Sequence, residues 1–127
     1  MDYVYDLTIP ANTKEDDATE IVVRLPYGIV SGVRLLFPTG CAGLARARIL
    51  VAQHQVWPSN PETWYNGNGT QIAFDADLLL ESDLNTVTLQ GYNSDDTYPH
   101  TVTISLTVIA PVSVLDQLRG PGTWEQI

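Results

Sequence analysis

The sequence predicts an all-β protein, an antiparallel β-sandwich of jelly-roll type with about eight strands and a C-terminal arm. Three observations support this prediction: apolar side chains recur at every second residue in several segments, turn-forming Pro, Gly and Asn residues separate those segments, and no long segment has the periodicity of a helix. The sandwich is expected to span residues 1–110 and the arm residues 111–127.

The first two predicted strands have clear alternation. Asp2 to Ile9 places four large apolar side chains on one face before Pro10 ends the segment: Tyr3, Tyr5, Leu7 and Ile9. Thr19 to Leu25 alternates in the same way, with Ile21, Val23 and Leu25 on one face. Pro26-Tyr27-Gly28 follows, and its composition predicts a turn.

The third predicted strand, Ile29 to Phe37, is apolar on both faces. Ile29, Val33, Leu35 and Phe37 occupy one face, and Val30 and Leu36 flank Arg34 on the other. One face of an antiparallel sandwich normally meets water. We therefore expect the second face to be covered, either by another subunit or by a loop or the tail of the same chain. Val30, Arg34 and Leu36 become candidate interface residues.

The fourth predicted strand, Leu44 to Ala52, carries two arginines on one face. Arg46 and Arg48 alternate with Ala45, Ala47 and Ile49, so both guanidinium groups project from the same side of the sheet. Two interpretations stay open: the arginines pair across strands within their own sheet, or they pair with carboxylates of a neighbouring subunit.

The middle of the chain is rich in turn signals. Gln55 to Pro58 leads into a loop, Ser59 to Gly69, that ends in Asn66-Gly67-Asn68-Gly69, which favours a tight turn with positive φ angles. Gln71 to Asp75 is predicted to be a strand. Asp77 to Asp83 is compatible with either a short helical turn or a buried strand.

The last two predicted strands are Asn85 to Gly91 and Thr101 to Ile109. Beyond Pro111 the composition changes, and residues 112–119 are compatible with two helical turns. This arm contains the apolar residues Val114, Leu115, Leu118 and Trp124, which makes them candidate contacts. We expect the arm to dock on its own domain, on a neighbouring copy or on a larger particle.

Composition excludes several classes of function. The 127 residues have a formal charge of −9 and only six scattered basic residues, which argues against a nucleic-acid partner. Cys41 is the single cysteine, so an internal disulfide or a multi-cysteine zinc site is excluded. The first twenty residues do not have the pattern of a signal peptide, and no apolar run is long enough to cross a membrane.

The chain contains no recognisable catalytic motif. Cys41, His54 and His100 are far apart in sequence, so structural roles are expected for them, and the protein is predicted to be neither an enzyme nor cofactor-dependent. Two carboxylate pairs, Asp75 with Asp77 and Asp95 with Asp96, could contribute to a Ca²⁺ site or could serve only in turns and solubility.

Five aromatic residues near predicted loops allow a second functional hypothesis. They are Trp57, Trp64, Tyr65, Tyr92 and Tyr98. Aromatic rings on the loops of a sandwich could stack on sugars, as in a carbohydrate-binding or receptor-binding module. The same residue types also anchor subunit interfaces.

Several turn-and-strand segments resemble small β-sandwich virion proteins of tailed bacteriophages, and capsid decoration proteins above all. These segments are Gly28–Val33, Phe37–Leu44, Gln55–Pro58, Gly91–Asn93 and His100–Val102. The resemblance implies a structural protein, made in the host cytoplasm, whose copies associate, commonly as trimers. It also implies binding to the major capsid protein on the outside of the head, where the protein stabilises the shell. The ratio of five arginines to one lysine fits such a role, because arginine is favoured at interfaces.

Overall fold

The computed structural model describes residues 1–111, which form an all-β, antiparallel fold. The predicted arm contacts Val114, Leu115, Leu118 and Trp124 lie outside the described residues. A short 3-10 turn, Glu15–Asp17, accompanies seven strands: β1 (Asp2–Ile9), β2 (Thr19–Phe37), β3 (Ala45–Val51), β4 (His54–Trp57), β5 (Tyr65–Asn66), β6 (Thr70–Asn93) and β7 (His100–Ile109). They form one sheet in the order β1-β7-β2-β6-β3-β4, and β5 pairs with β3.

The two long strands, β2 and β6, pair along most of their length and connect two halves of the sheet. The β1–β7 half contains β1, β7, residues 28–37 of β2 and residues 70–80 of β6. The β3–β4 half contains β3, β4, β5, residues 19–26 of β2 and residues 84–93 of β6. Each half therefore has its own outer strands, and both halves share the same central ribbon.

The pairing of β2 with β6 is irregular at two places, and these irregularities allow one strand to belong to both halves of the sheet. The pairing register with β6 shifts between Pro26 and Gly28 and again between Val30 and Gly32. An extra residue at such a bulge bends the strand and increases its twist. The predicted turn at Pro26-Tyr27-Gly28 is therefore wrong: the chain continues as a strand, and Tyr27 lies opposite three residues of β6, 81–83, which form the bulge. Asp77 to Asp83, left open by the sequence, belongs to β6.

The bulge at Ser31 also corrects the predicted position of Val30. An extra residue reverses the alternation of side chains, so Val30 points into the core and is only 1% exposed. The expectation that Val30 lies on an outer face is therefore wrong. Arg34 and Leu36 follow the bulge and are exposed on the outer face of β2, as predicted.

The core lies on the inner face of the bent sheet and draws on both halves. Its largest fully buried side chains include Leu7, Ile104, Leu35, Phe37, Leu25, Ile49 and Leu89. Gly91 of β6 marks where the halves meet, because a Cβ there would collide with Ile9 Cδ1 of β1 and lie 3.0 Å from the Arg46 carbonyl oxygen. The sheet thus bends far enough for β1 to pack against the β3–β4 half.

The Asn-Gly segment forms a turn that differs from a simple hairpin. Gly69 has a positive φ of 59°, as the composition predicts. Asn68 Oδ1 accepts hydrogen bonds from the backbone nitrogens of Gly40 (2.8 Å) and Ala42 (3.1 Å), so the turn also holds the loop after β2. The flanking strands do not pair with each other, because β5 pairs with β3 whereas this end of β6 pairs with β2.

Candidate interaction surfaces

The outer face of the β1–β7 half is largely polar, with hydroxyl and carboxylate side chains paired across β1 and β7. Thr107 donates to Asp2, and Thr103 Oγ1 donates to Asp6 Oδ1 at 2.7 Å. The hydrogen bond from Thr107 lowers the pKa of Asp2, and the positive charge of Arg34 lowers it further. Arg34 Nη2 lies 3.7 Å from Asp2 Oδ2. The predicted interface residue Arg34 is thus paired within its own sheet, in an exposed position.

Apolar side chains interrupt this polar face where β7, β2 and β6 lie side by side. Ile109, Ile29 and Leu79 are directly paired in the sheet register and form one row across the three strands, here called the apolar row. Leu79 is 44% exposed, Ile109 is similarly exposed and Ile29 is half-buried. Leu36 is exposed on the same strand face beyond the bulge. The predicted second apolar face of β2 therefore exists, with Leu36 as expected and with Ile29 in place of Val30.

The outer face of the β3–β4 half is partly covered by an aromatic residue from the loop before β5. Trp64 is 7% exposed, and its Nε1 donates a hydrogen bond of 2.9 Å to Glu15 Oε2. The Arg48 guanidinium carbon lies 4.1 Å from the centroid of the Trp64 ring, within cation–π range. Tyr92 meets the same ring edge-on at 4.8 Å. We call Arg46, Arg48, Trp64 and Tyr92 the Arg–aromatic cluster.

A chain of hydrogen bonds crosses this face and fixes Arg48. Gln90 Nε2 donates to Glu20 Oε2 at 3.1 Å, and Gln90 Oε1 accepts from Arg48 Nε at 2.8 Å. Arg48 Nη1 donates to Gln55 Oε1 at 3.0 Å. The amide of Gln55 in turn donates to the carbonyl oxygens of Pro58, Asn60 and Thr63, and so holds the loop. Arg48 therefore pairs across strands within its own sheet, the first of the two interpretations.

Arg46 is different, although it lies two residues earlier on the same face. Its guanidinium carbon lies 5.8 Å from the Tyr92 ring centroid. Its Nε is buried and has no hydrogen-bond partner among residues 1–111. A buried donor without a partner is costly, because the group loses its hydrogen bond to water and gains none in exchange. Of the two arginines, Arg46 is thus the one whose Nε–H has no hydrogen-bond acceptor in this part of the chain.

The five aromatic residues of the carbohydrate hypothesis do not form one platform. Trp57 is buried, Tyr65 is half-buried, and both pack near Phe74, at ring-centroid distances of 6.3 and 6.0 Å. Trp64 is buried and half-buried Tyr92 lies against it. Tyr98, which is 65% exposed, is the one of the five that is open to solvent. Trp64 and Tyr92 thus belong to the Arg–aromatic cluster, and Trp57 and Tyr65 pack against the core.

The two carboxylate pairs have different surroundings. Asp95 accepts hydrogen bonds from the backbone nitrogens of Thr97 and Tyr98, at 2.9 and 3.2 Å, and lies 2.8 Å from His100 Nε2. These contacts, the Thr97 nitrogen first, lower the pKa of Asp95. Asp75 and Asp77 are exposed on the outer face of β6. Within residues 1–111, no three potential metal-ligating side chains of His, Cys, Asp or Glu form a group suited to a metal ion.

Of the remaining residues considered for chemistry, Cys41 is fully buried, and burial raises the pKa of its thiol. Such a thiol stays protonated and unreactive at neutral pH. His54 is exposed at the start of β4.

Comparisons with known proteins find no match to this sequence, neither among models of protein families nor among curated proteins. Residues 1–111 contain no helix with the length and apolar character needed to cross a membrane. The interpretation of the surfaces therefore depends on their geometry and chemistry.

Sequence reasoning missed the apolar row. Its members are brought into register by the bulges of β2, which the alternation of side chains does not reveal. The consecutive residues Leu78, Leu79 and Leu80 were a usable signal, because three leucines in a strand must place at least one on each face.

Proposed function

We propose that the protein is a non-enzymatic structural protein of the virion, a capsid decoration protein that self-associates as a trimer and stabilises the phage head. In this proposal the bent sheet is a β-sandwich of jelly-roll type that binds the major capsid protein on the capsid surface. The observation that carries the proposal is the apolar row, Ile29, Leu79 and Ile109, on a sheet face where Val4 and Leu36 are also exposed among polar side chains. Exposed apolar groups in register across neighbouring strands are typical of surfaces that bind another protein.

The apolar row alone is too small to hold a trimer together. Burying the exposed part of each of its side chains contributes about 1 kcal/mol, or roughly 3 kcal/mol for the row. Association costs about 4–15 kcal/mol in lost translational and rotational freedom. The proposal therefore requires further contacts. The sequence of the arm supplies apolar candidates for them, Val114, Leu115, Leu118 and Trp124.

Leu79→Ser tests the role of the apolar row, with Leu84→Ser as its matched control. Both leucines lie on β6 and are exposed, Leu84 even more so at 59%, but Leu84 pairs with Pro26 in the other half of the sheet. We expect Leu79→Ser to shift the mass measured by light scattering from trimer toward monomer, whereas Leu84→Ser leaves it unchanged. Equal behaviour of the two variants would remove the apolar row from the proposal.

The second test uses capsid shells of the phage whose genome encodes the chain. The intact chain is expected to co-sediment with the shells, and a variant lacking residues 111–127 is expected to lose this binding while its circular dichroism spectrum still shows a folded β protein. A chain that is strictly monomeric at tens of micromolar and binds no shells would overturn the proposed function.

A further inference from the structure

The Arg–aromatic cluster holds two cationic groups whose charge is not neutralised by neighbouring carboxylates. Within residues 1–111 the ion pairs are Arg34 with Asp2 and His100 with Asp95, so neither Arg46 nor Arg48 lies within ion-pair distance of a carboxylate there. Arg48 is held by amide oxygens, and Arg46 Nε has no acceptor at all among these residues. This arrangement occurs in a chain with a formal charge of −9, where acidic groups are abundant.

A matching pair of carboxylates lies on the other half of the sheet. Asp75 and Asp77 are two residues apart on β6, exposed on its outer face, and form no ion pair within residues 1–111. Residues two apart on one strand are about 6.4–6.8 Å apart, so the spacing of Asp75 and Asp77 is similar to that of Arg46 and Arg48 on β3. Glu15, Glu20 and Asp95 accept hydrogen bonds within the fold. Glu81 and Asp83 are a second exposed pair with this spacing, but they lie where β6 and β2 are not paired, between Leu80 and Leu84.

The position of Asp75 and Asp77 suits an intermolecular contact. Residues 70–80 of β6 pair with β2 on one side, whereas β3 pairs only with residues 87–93, so within the described chain this stretch of β6 is a sheet edge. An edge strand with exposed carboxylates is accessible to a second molecule, and the charges also keep it from pairing with unrelated strands. The two pairs of opposite charge thus lie on different surfaces of the same chain.

We propose that Asp75 and Asp77 of one copy bind Arg46 and Arg48 of the next copy. This inference depends on the proposed self-association and specifies which residues make the contact. The carboxylates would neutralise the charge of the two guanidinium groups, and charge-assisted hydrogen bonds to arginine are the strongest kind in proteins. If each copy uses one of these surfaces for each of two neighbours, the interface is heterologous, and a heterologous interface that closes on itself forms a ring. A trimer is one such ring.

A charge-swap experiment on the full chain tests this contact. Arg46→Glu and Asp75→Arg each place like charges across every interface, and we expect each to weaken association at least tenfold in sedimentation equilibrium. The double variant carrying both changes restores opposite charges and should recover most of the association. Arg24→Glu, which changes an exposed arginine outside the cluster by the same charge, is the control and should leave association unchanged.

Asp75→Asn with Asp77→Asn is the second variant, because both residues are exposed and their replacement leaves the core intact. We expect it to weaken association to a similar extent, and high salt should reduce the difference from the unmodified chain. A trimer that persists in this variant and in both single charge reversals would overturn the inference and leave the proposed function standing, with Asp75 and Asp77 serving only to protect their own edge. A monomeric unmodified chain would overturn both.

Discussion

The two halves of the sheet share their central strands, yet they differ in how far side chains of the same chain cover their outer faces. On the β3–β4 half, Trp64 lies over the face and is held by Glu15 and Arg48. On the β1–β7 half no loop side chain of the described residues takes that place, and the apolar row stays exposed beside a polar ladder of threonines and aspartates. The face of the β3–β4 half is therefore partly covered by the chain itself, although Val22 is 51% exposed there. The face of the β1–β7 half, here called the open face, has no such cover among the described residues.

This difference teaches where a partner can bind. Trp64 appears suited to recognition in the sequence, but it covers part of the β3–β4 half and is only 7% exposed. The exposed apolar side chains of the apolar row lie on the open face, and the buried Arg46 Nε has no acceptor within the described residues. Side chains whose contacts are complete within the fold contribute to stability, whereas exposed side chains without partners are available for association.

Replacing Trp64 is the strongest test of the difference between the outer faces of the two halves. Trp64→Ala removes a buried ring together with its hydrogen bond and its contact with Arg48, so we expect the free energy of unfolding to fall by about 3–5 kcal/mol. Leu79→Ser on the open face should change it by no more than about 0.5 kcal/mol in the monomer. Urea denaturation measures both free energies of unfolding, at protein concentrations low enough for the trimer to be dissociated. Similar losses in the two variants would show that the faces are not different.

Gly91→Ala tests the contact between the two halves. The added Cβ meets Ile9 Cδ1 and the Arg46 carbonyl oxygen, so either β1 or β3 must move, at a cost of about 1–3 kcal/mol. Gly32→Ala is the control, because a Cβ at Gly32 lies no closer than 3.7 Å to its nearest neighbour, Thr107 Oγ1. Thermal unfolding of the two variants gives the comparison. Equal melting temperatures would mean that β1 does not pack against the β3–β4 half as described.

The fold was largely predictable from the sequence, because alternation and strand-ending residues report on local structure. β1 has the predicted bounds, Asp2 to Ile9, since Pro10 cannot donate a hydrogen bond to the sheet. β2 was divided in the prediction, because Pro26-Tyr27-Gly28 has the composition of a turn, although the strand continues there opposite the extra residues of β6. Two predicted strands and their turn are therefore one strand.

The interaction surfaces were less predictable, because they depend on contacts between distant parts of the chain. Alternation correctly placed Arg46 and Arg48 on one face, but only the path of the loop before β5 brings Trp64 onto them. The bulge at Ser31 moved Val30 into the core and left Ile29 on the outer face. A single reversal of alternation thus changed which residues of β2 face solvent.

A smaller and pH-dependent effect is expected where the loop between β6 and β7 is held by Asp95. Hydrogen bonds lower the pKa of Asp95 below its ordinary value of 3.8. The ionised group therefore stabilises the fold above that value, and this contribution is lost as the pH falls through the lower, folded-state pKa.

Asp95→Asn should accordingly reduce stability at neutral pH and have progressively less effect as the pH falls well below 3.8. Thermal unfolding across this range measures the difference, with Asp96→Asn as the control, because the Asp96 carboxylate accepts a hydrogen bond only from the Thr97 hydroxyl within the described residues. A destabilisation by Asp95→Asn that is independent of pH would contradict the assigned role of the ionised carboxylate.

The central claim is that the open face of this protein binds further copies of the same chain. Light scattering coupled to size-exclusion chromatography tests it most directly, at tens of micromolar protein and at low and high salt. The account predicts a mass three times that of the 14.0 kDa chain at low salt, with partial dissociation as salt screens the pairing of Asp75 and Asp77 with Arg46 and Arg48. A mass equal to one chain under all these conditions would contradict it.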